Sequence, residues 1–183
     1  MRRAVFLDRD GVINQSILRD GLPYAPESIK ELKVLPGVRE ALSSLRDAGF
    51  LNIVVTNQPD VAAGRIRLEI LEAMHRRLKE DLALDAVKVC CHTDADRCDC
   101  RKPKPGLLLQ AAHEFRVDLS RSFMIGDRWR DVAAGQAAGC TTFFIDYGYR
   151  EKRPEPPYIT VKSLPDASTR ILMESIKKQG LTQ

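Results

Sequence analysis

Five short apolar runs, rich in β-branched and aromatic residues, alternate with helix-period segments along this chain. That alternation constrains the fold more than any other feature. The runs are AVFL (4–7), LNIVVT (51–56), AVKVC (86–90), SFMIG (122–126) and TTFFID (141–146). Their length and their charged or turn-forming borders are those of buried strands. Between the first two, residues 36–49 open on Pro36-Gly37, repeat apolar residues at Val38, Leu42 and Leu45, and stop at Gly49. Residues 67–84 carry Leu68, Leu71, Met74, Leu78 and Leu82 on one side, and 105–115 and 129–139 supply two more helices. Such alternation predicts an α/β fold, a Rossmann-like three-layer sandwich with a central parallel sheet between helices. Ligands of these sheets collect at the carboxyl ends of the strands, near the point where strand order reverses.

The 183 residues fit one domain spanning 1–183. The connection 14–35 and a cysteine loop at 90–100 are the longest interruptions. Both are too small for a separate cap, so no large cap domain is expected, and 14–35 reads as a specificity loop. Residues 147–158 read as an extended Pro-rich connection before a last helix around 166–179. No apolar run approaches the ~20 residues that span a bilayer. Asp8 and Asp10 break the apolar stretch behind the N-terminal arginines, where a secretory segment needs ~7–15 apolar residues. A cytoplasmic protein without a membrane partner is therefore expected. The 29 basic residues are scattered among 25 acidic ones and aromatics are only 6%, so no basic stripe invites nucleic acid. A monomer is expected.

Polar residues cluster just after the strands. Asp8 and Asp10 follow the first, Thr56, Asn57 and Gln58 the second, and Asp127 and Asp131 the fourth, while Arg101 and Lys102 precede a Pro-Gly helix start. The chemistry this set supports is phosphoryl transfer. A phosphate monoester is dianionic and repels a carboxylate, so attack needs a divalent cation and fixed positive donors around the phosphoryl oxygens. Asp8 fits a nucleophile that forms a phospho-aspartate. Asp10, two residues on, fits the acid that protonates the leaving alkoxide and then the base that deprotonates water. Asp8, Asp127 and the backbone carbonyl of Asp10 offer hard oxygen ligands for Mg²⁺. Thr56 and Lys102 would hold the phosphoryl oxygens, and Asp131 would orient the ion or its waters from behind its direct ligands. Taken singly, each carboxylate suits a helix cap or a solvated loop equally well; Asp127 can cap a helix beginning near Trp129. Convergence from four strand ends is what favours an enzyme.

In that order and spacing, FLDRDGVIN, VVTNQ, RKPKPG and MIGDRWRD resemble the haloacid dehalogenase (HAD) phosphatase superfamily, over roughly residues 4–146. The resemblance implies Asp8 as nucleophile, Asp10 as acid/base, Lys102 as the phosphate-neutralising lysine and Asp127 as a magnesium ligand.

Cys90, His92, Cys98 and Cys100 form C-x-H…C-x-C, with five residues between His92 and Cys98. Three thiolates and an imidazole suit a closed, structural tetrahedral Zn²⁺ site. Cys91 points to the other side if 90–92 end a strand, and Cys140 reads as a core residue. Free or redox-active thiols are the alternative. The loop runs directly into Arg101 and Lys102, so clamping it would fix both cations. With C-R-K-P behind it, the loop is similar to the zinc-containing HAD branch of heptose bisphosphate and histidinol-phosphate phosphatases. That likeness implies a phosphorylated small-molecule substrate, a sugar bisphosphate above all, with Arg101 in recognition and Asn57 and Gln58 lining the pocket. Arg128 stands where the heptose enzymes carry lysine and is expected at the substrate; Asp60 replaces an expected glycine. A histidinol-phosphate phosphatase, a nucleic-acid 3′-phosphatase and a non-enzymatic zinc-binding module remain the rival readings. His75 and His113, inside helix patterns, read as surface or boundary residues.

Overall fold

The computed structural model describes residues 1–180, with side chains through residue 175. In chain order it contains β1 (Arg3–Leu7), a hairpin of β2 (Ile17–Arg19) and β3 (Leu22–Tyr24), α1 (Val38–Asp47) and β4 (Phe50–Asn57). There follow α2 (Leu68–Asp81), β5 (Ala86–Cys90), α3 (Gly106–Phe115), β6 (Phe123–Gly126), α4 (Trp129–Ala138), β7 (Thr141–Ile145), β8 (Ile159–Val161) and α5 (Leu164–Gly180). Six strands form one sheet in the order β5-β4-β1-β6-β7-β8, and every pairing is parallel. The five expected strands are all present. β8 was not anticipated, because three residues after a Pro-rich stretch carry no readable period. The hairpin falls inside the 14–35 connection. Its turn is Asp20-Gly21, with φ of 52° and 77°, the positive-φ pair that a two-residue hairpin turn requires.

Strand alternation sorts the core into two layers. Val5 and Leu7 of β1 pack with α1 and α5 residues such as Leu42, Leu45, Ala167 and Ile171. Ala4 and Phe6 face the other layer, with Leu107, Leu108 and Ala111 of α3 and Ala134 of α4. Phe6 and Leu7 are completely buried, each contributing about 1.5–3 kcal/mol of apolar transfer. This register also aims the chemistry. Asp8 extends the Ala4–Phe6 series towards the loops that enter α3 and α4, and its N–H still donates to Ile125 O of β6 at 2.9 Å. β1 lies between β4 and β6, the point where strand order reverses. No helix among the described residues is long and apolar enough to cross a membrane.

Candidate active site

Asp8, Asp127 and Asp131 are buried together at the carboxyl ends of β1 and β6, each offering an oxygen within 4.8 Å of the others. The backbone is shaped for this closeness. Gly11 has φ +80°, and a Cβ there would sit 1.9 Å from Asp127 Oδ2, so only glycine lets the loop after β1 pass against that carboxylate. Among them stands Lys102, 1% exposed. Its ammonium meets Asp8 Oδ1 at 2.8 Å, Asp131 Oδ1 at 2.6 Å and Val55 O at 2.7 Å. Three acceptors match the three donors of an ammonium, so the side chain has one orientation. Asn57 fixes its backbone from both sides: Nδ2 donates to Lys102 O at 3.0 Å and Oδ1 accepts from Lys102 N at 3.1 Å. Asn57 continues the Ile53–Val55 face of β4, which packs on the α3 layer, and the start of α3 is where Lys102 lies.

Three carboxylates against one ammonium leave this buried cluster two negative charges in excess when all are ionised. Burial, then the Asp8 and Asp131 carboxylates, push Asp127 well above the usual carboxylate range. Burial and Asp8 raise Asp131 to about 6 even though Lys102 pulls it back. Asp127 Oδ2 accepts a hydrogen bond from Tyr149 at 2.9 Å, but its buried Oδ1 has no partner among the described residues. An unpartnered carboxylate oxygen, an excess of two negative charges and an all-oxygen donor set fit a hard divalent cation. Asp127 does not cap α4; that role falls to Asp131, whose Oδ2 accepts from Arg128 N at 3.0 Å.

Asp10 is held apart from this group by its own donors. Arg9 reaches Oδ1 through Nε at 3.1 Å and bridges Oδ1 and Oδ2 through Nη2 at 3.0 Å each. Asn14 Nδ2 donates to Oδ1 at 2.8 Å, and Gln58 Nε2 to Oδ2 at 2.7 Å. Gln58 also bonds Thr56 Oγ1 at 3.0 Å. Arg9 is fully buried, and its Nη1 meets His75 Nε2 at 3.1 Å. His75 is therefore an interior residue of α2, contrary to the surface or boundary reading. Burial, then the Arg9 charge, hold its imidazole down to about 3.

Asp8, Asp10, Lys102, Asp127 and Asp131 open into a cavity of about 300 Å³, walled by Leu22–Ala25 of the hairpin and by Asn57, Gln58, Arg101 and Arg128. Thr56, only 1% exposed, lies beneath the cavity and supports Gln58. Arg101 and Arg130 share Asp94, with Arg101 Nε at 2.9 Å and Arg130 Nη1 at 3.0 Å from Oδ1. Arg128 Nε pairs with Glu151 at 3.0 Å. Glu151 belongs to the connection after β7, which also reaches the site: Tyr147 donates to Gly11 O at 2.9 Å and Tyr149 to Asp127. Arg150, between Tyr149 and Glu151, donates its N–H to Gly21 O of the hairpin at 3.0 Å. Arg9, His75, Asn14, Arg130, Asp94 and Tyr149 were not anticipated.

The cysteine loop closes into one cluster. Cys100 Sγ lies 3.2 Å from Cys90, 3.4 Å from Cys98 and 3.3 Å from His92 Nδ1, with Cys90–Cys98 at 3.7 Å and Cys90–His92 at 3.6 Å. A tetrahedral ion with Zn–S near 2.3 Å spaces its sulfurs about 3.8 Å apart, so the four groups fit such an ion with little movement. Burial and the Cys100 contact raise Cys90 to about 12. At Cys98, desolvation opposes ionisation, yet hydrogen bonds from Cys100 and the Arg101 backbone bring it down to about 7. Cys91 stays outside the cluster and Cys140 is a buried core residue. Gly106 lets the loop press on α3, for a Cβ there would meet Asp99 O at 2.1 Å.

The family model of haloacid dehalogenase-like hydrolases matches residues 18–139. The chain is 40% identical over 152 residues to the D-glycero-beta-D-manno-heptose-1,7-bisphosphate 7-phosphatase of Pseudomonas aeruginosa, covering 80% of this chain and 83% of that one. A D-glycero-D-manno-heptose-1,7-bisphosphate 7-phosphatase from Thermosynechococcus vestitus is 35% identical over 175 residues, covering 86% and 85%. Among solved structures, D,D-heptose 1,7-bisphosphate phosphatase from B. bronchiseptica, complexed with magnesium and phosphate, superposes with a TM-score of 0.79 at 29% identity, covering 94% of this chain and 99% of that one.

Proposed function

The chain belongs to the haloacid dehalogenase-like hydrolases, and from that premise we propose that it is a Mg²⁺-dependent 7-phosphatase of a heptose 1,7-bisphosphate, working through a phospho-aspartate on Asp8. The observation that carries the mechanism is the cluster of Asp8, Asp127 and Asp131 around a single buried lysine. The named activity of the relatives supports the substrate.

In the first half-reaction an Asp8 oxygen attacks phosphorus, and the bond from phosphorus to the departing sugar oxygen breaks. Protonated Asp10 delivers its proton to that oxygen, so the alcohol leaves neutral. In the second, Asp10 as carboxylate takes a proton from water, which attacks phosphorus and frees Asp8 and inorganic phosphate. Lys102 keeps its charge beside the nucleophile throughout and offsets the phosphoryl oxygens. Held by Asp8, Asp127 and the Asp10 carbonyl, with Asp131 behind, a Mg²⁺ ion would screen the repulsion between dianion and carboxylate. Gln58 keeps Asp10 turned to the cavity. Arg101 and Arg130, already gathered at the rim by Asp94, suit the phosphate that is not cleaved. Cys90, His92, Cys98 and Cys100 would hold a structural Zn²⁺ that fixes Arg101 and Lys102. Such a thiolate site suits a reducing compartment, in keeping with a cytoplasmic enzyme. Because one chain supplies the whole site, a monomer suffices as the working unit, one domain over 1–183.

Phosphate release with Mg²⁺, measured on heptose 1,7-bisphosphate and histidinol phosphate side by side, tests the substrate. Preference for the bisphosphate, abolished by EDTA, is expected. Preference for histidinol phosphate would keep the mechanism and replace the substrate.

The metal reading also predicts a pH dependence. Asp127 and Asp131 have folded-state values above the unfolded one, near 4. The stability they contribute is present below pH ~4 and is lost as pH rises through their folded values, which reach about 6 for Asp131. A cation bound there relieves the loss, so the rise in Tm caused by Mg²⁺ should be larger at pH 8 than at pH 5. His75 works in the opposite sense between about 3 and 6.5, but it cancels in the difference with and without Mg²⁺. Equal Mg²⁺ shifts at both pH values would mean the ion binds elsewhere.

A further inference from the structure

We propose that His75 is a positioning residue for Asp10, acting through the buried Arg9 guanidinium. The inference rests on the acid/base reading of Asp10 and adds to it a link reaching into α2. Arg9 is the largest of the fully buried side chains, and its donors divide in two directions. Nε and Nη2 go to the Asp10 carboxylate; Nη1 goes to His75 Nε2. A guanidinium only donates, so Nε2 must be the accepting nitrogen and the imidazole neutral, with its proton on Nδ1. The strongly lowered imidazole value agrees with this.

Both ends of the link are rigid. The backbone of Arg9 is pinned by Ile13 and Asn14, whose N–H groups donate to Arg9 O at 2.8 and 3.1 Å. His75 sits on the face of α2 that buries Leu71, Met74 and Leu78. A planar guanidinium has a fixed fork, so fastening one side of it sets where the other presents its donors. Without the His75 acceptor, a buried Nη1–H loses its partner, which is costly enough to make the group reorient. Asp10 would then turn with it, away from the oxygen it must protonate.

The test separates positioning from packing by leaving group. The ratio kcat/KM reports steps up to departure of the alcohol. A sugar 6-phosphate releases an alkoxide that needs the Asp10 proton, whereas p-nitrophenyl phosphate releases a phenolate stable without one. In His75→Phe the alkyl-to-aryl ratio of kcat/KM should fall by about tenfold or more, part of the roughly 10²–10⁴-fold that general acid catalysis supplies. His75→Gln, whose Oε1 can accept from Arg9, should restore the ratio. Equal losses on both substrates, or a folded His75→Gln no better than His75→Phe, would overturn the link. If His75→Phe does not fold, His75→Leu, which likewise offers Arg9 no acceptor, serves instead: the same fall in ratio supports the link, and an unchanged ratio overturns it. Asp10→Asn is the control. An unchanged ratio there overturns the acid reading itself and the link with it. A fall there, beside an unchanged ratio in His75→Phe, overturns the link alone.

Discussion

Asp8→Asn is expected to remove turnover almost completely, by at least about 10⁴-fold, the scale seen when an essential covalent nucleophile is deleted. The amide keeps the size of the carboxylate and can still accept from Lys102, but it cannot form the acyl phosphate. Acid-quenched mixtures should then contain no phosphoenzyme, and zinc content should be unchanged. The same variant should make the metal-free protein more stable at neutral pH. The cluster of Asp8, Asp127 and Asp131 around Lys102 carries excess negative charge, and neutralising one member relieves repulsion among the rest. A variant that is less active and more stable identifies a group kept for chemistry at a cost in stability. A non-enzymatic zinc module would have no turnover to lose. Full phosphatase activity in Asp8→Asn would refute the nucleophile assignment.

Cys100→Ser should have the second largest effect. Cys100 lies within 3.4 Å of all three other members of its cluster, and its loss leaves no closed set of four. Bound zinc, measured by mass spectrometry of the native protein, should fall from about one equivalent to a small fraction, since apparent binding at such sites is worth ~10–16 kcal/mol. Of the four ligands only Cys90 is a buried member of the two-layer core, with Cys98 and Cys100 packed against its edge, so the sheet should remain folded while residues 91–101 become open to proteolysis. Activity should drop about 10–100-fold, the range for losing groups that support a catalytic site from outside. It should not vanish, because Asn57 and three acceptors still hold Lys102. Wild-type protein that is fully active without zinc would instead favour the free-thiol reading of the loop.

The parts of this molecule differ in how well their sequence announces them. β5 could be read to the residue as Ala86–Cys90, and the other long strands to within a residue or two, because each is an apolar run with a polar break at its end. Asp8, Asp10 and Asp127 were legible for the same reason, a charge that abruptly ends a buried run, whereas Lys102 was read from its place between the cysteine loop and a Pro-Gly helix start. β8 offered only Ile159–Val161, too short for a period to show. The hairpin did carry a signal, Asp20-Gly21, but the polar setting around it masked the flanking alternation. His75 was hidden by its neighbours. Arg76 and Arg77 suggest a surface, whereas the spacing Leu71, His75, Leu78, Leu82 puts it on the buried stripe of α2. Arg9 could not have been placed from its own motif, since its partner lies 66 positions away. Contacts of that kind are set by how a helix docks on the sheet, which no local pattern encodes.

The hairpin at Ile17–Tyr24 and the segment at Tyr147–Glu151 share a property with consequences beyond a single substrate. Both approach the site from outside the sheet, the hairpin at the cavity wall and the segment through Asp127 and Arg128, and Arg150 ties one to the other through Gly21. The nucleophile and its acid partner follow directly on β1, and the lysine stands before α3 with its ammonium on Val55 O of β4, where any shift would disturb the two cores. Mutations at the rim therefore meet little resistance from folding, and mutations on the floor meet a great deal. Descendants of such a protein can trade one phosphate ester for another by redrafting the rim, while inheriting the reaction intact.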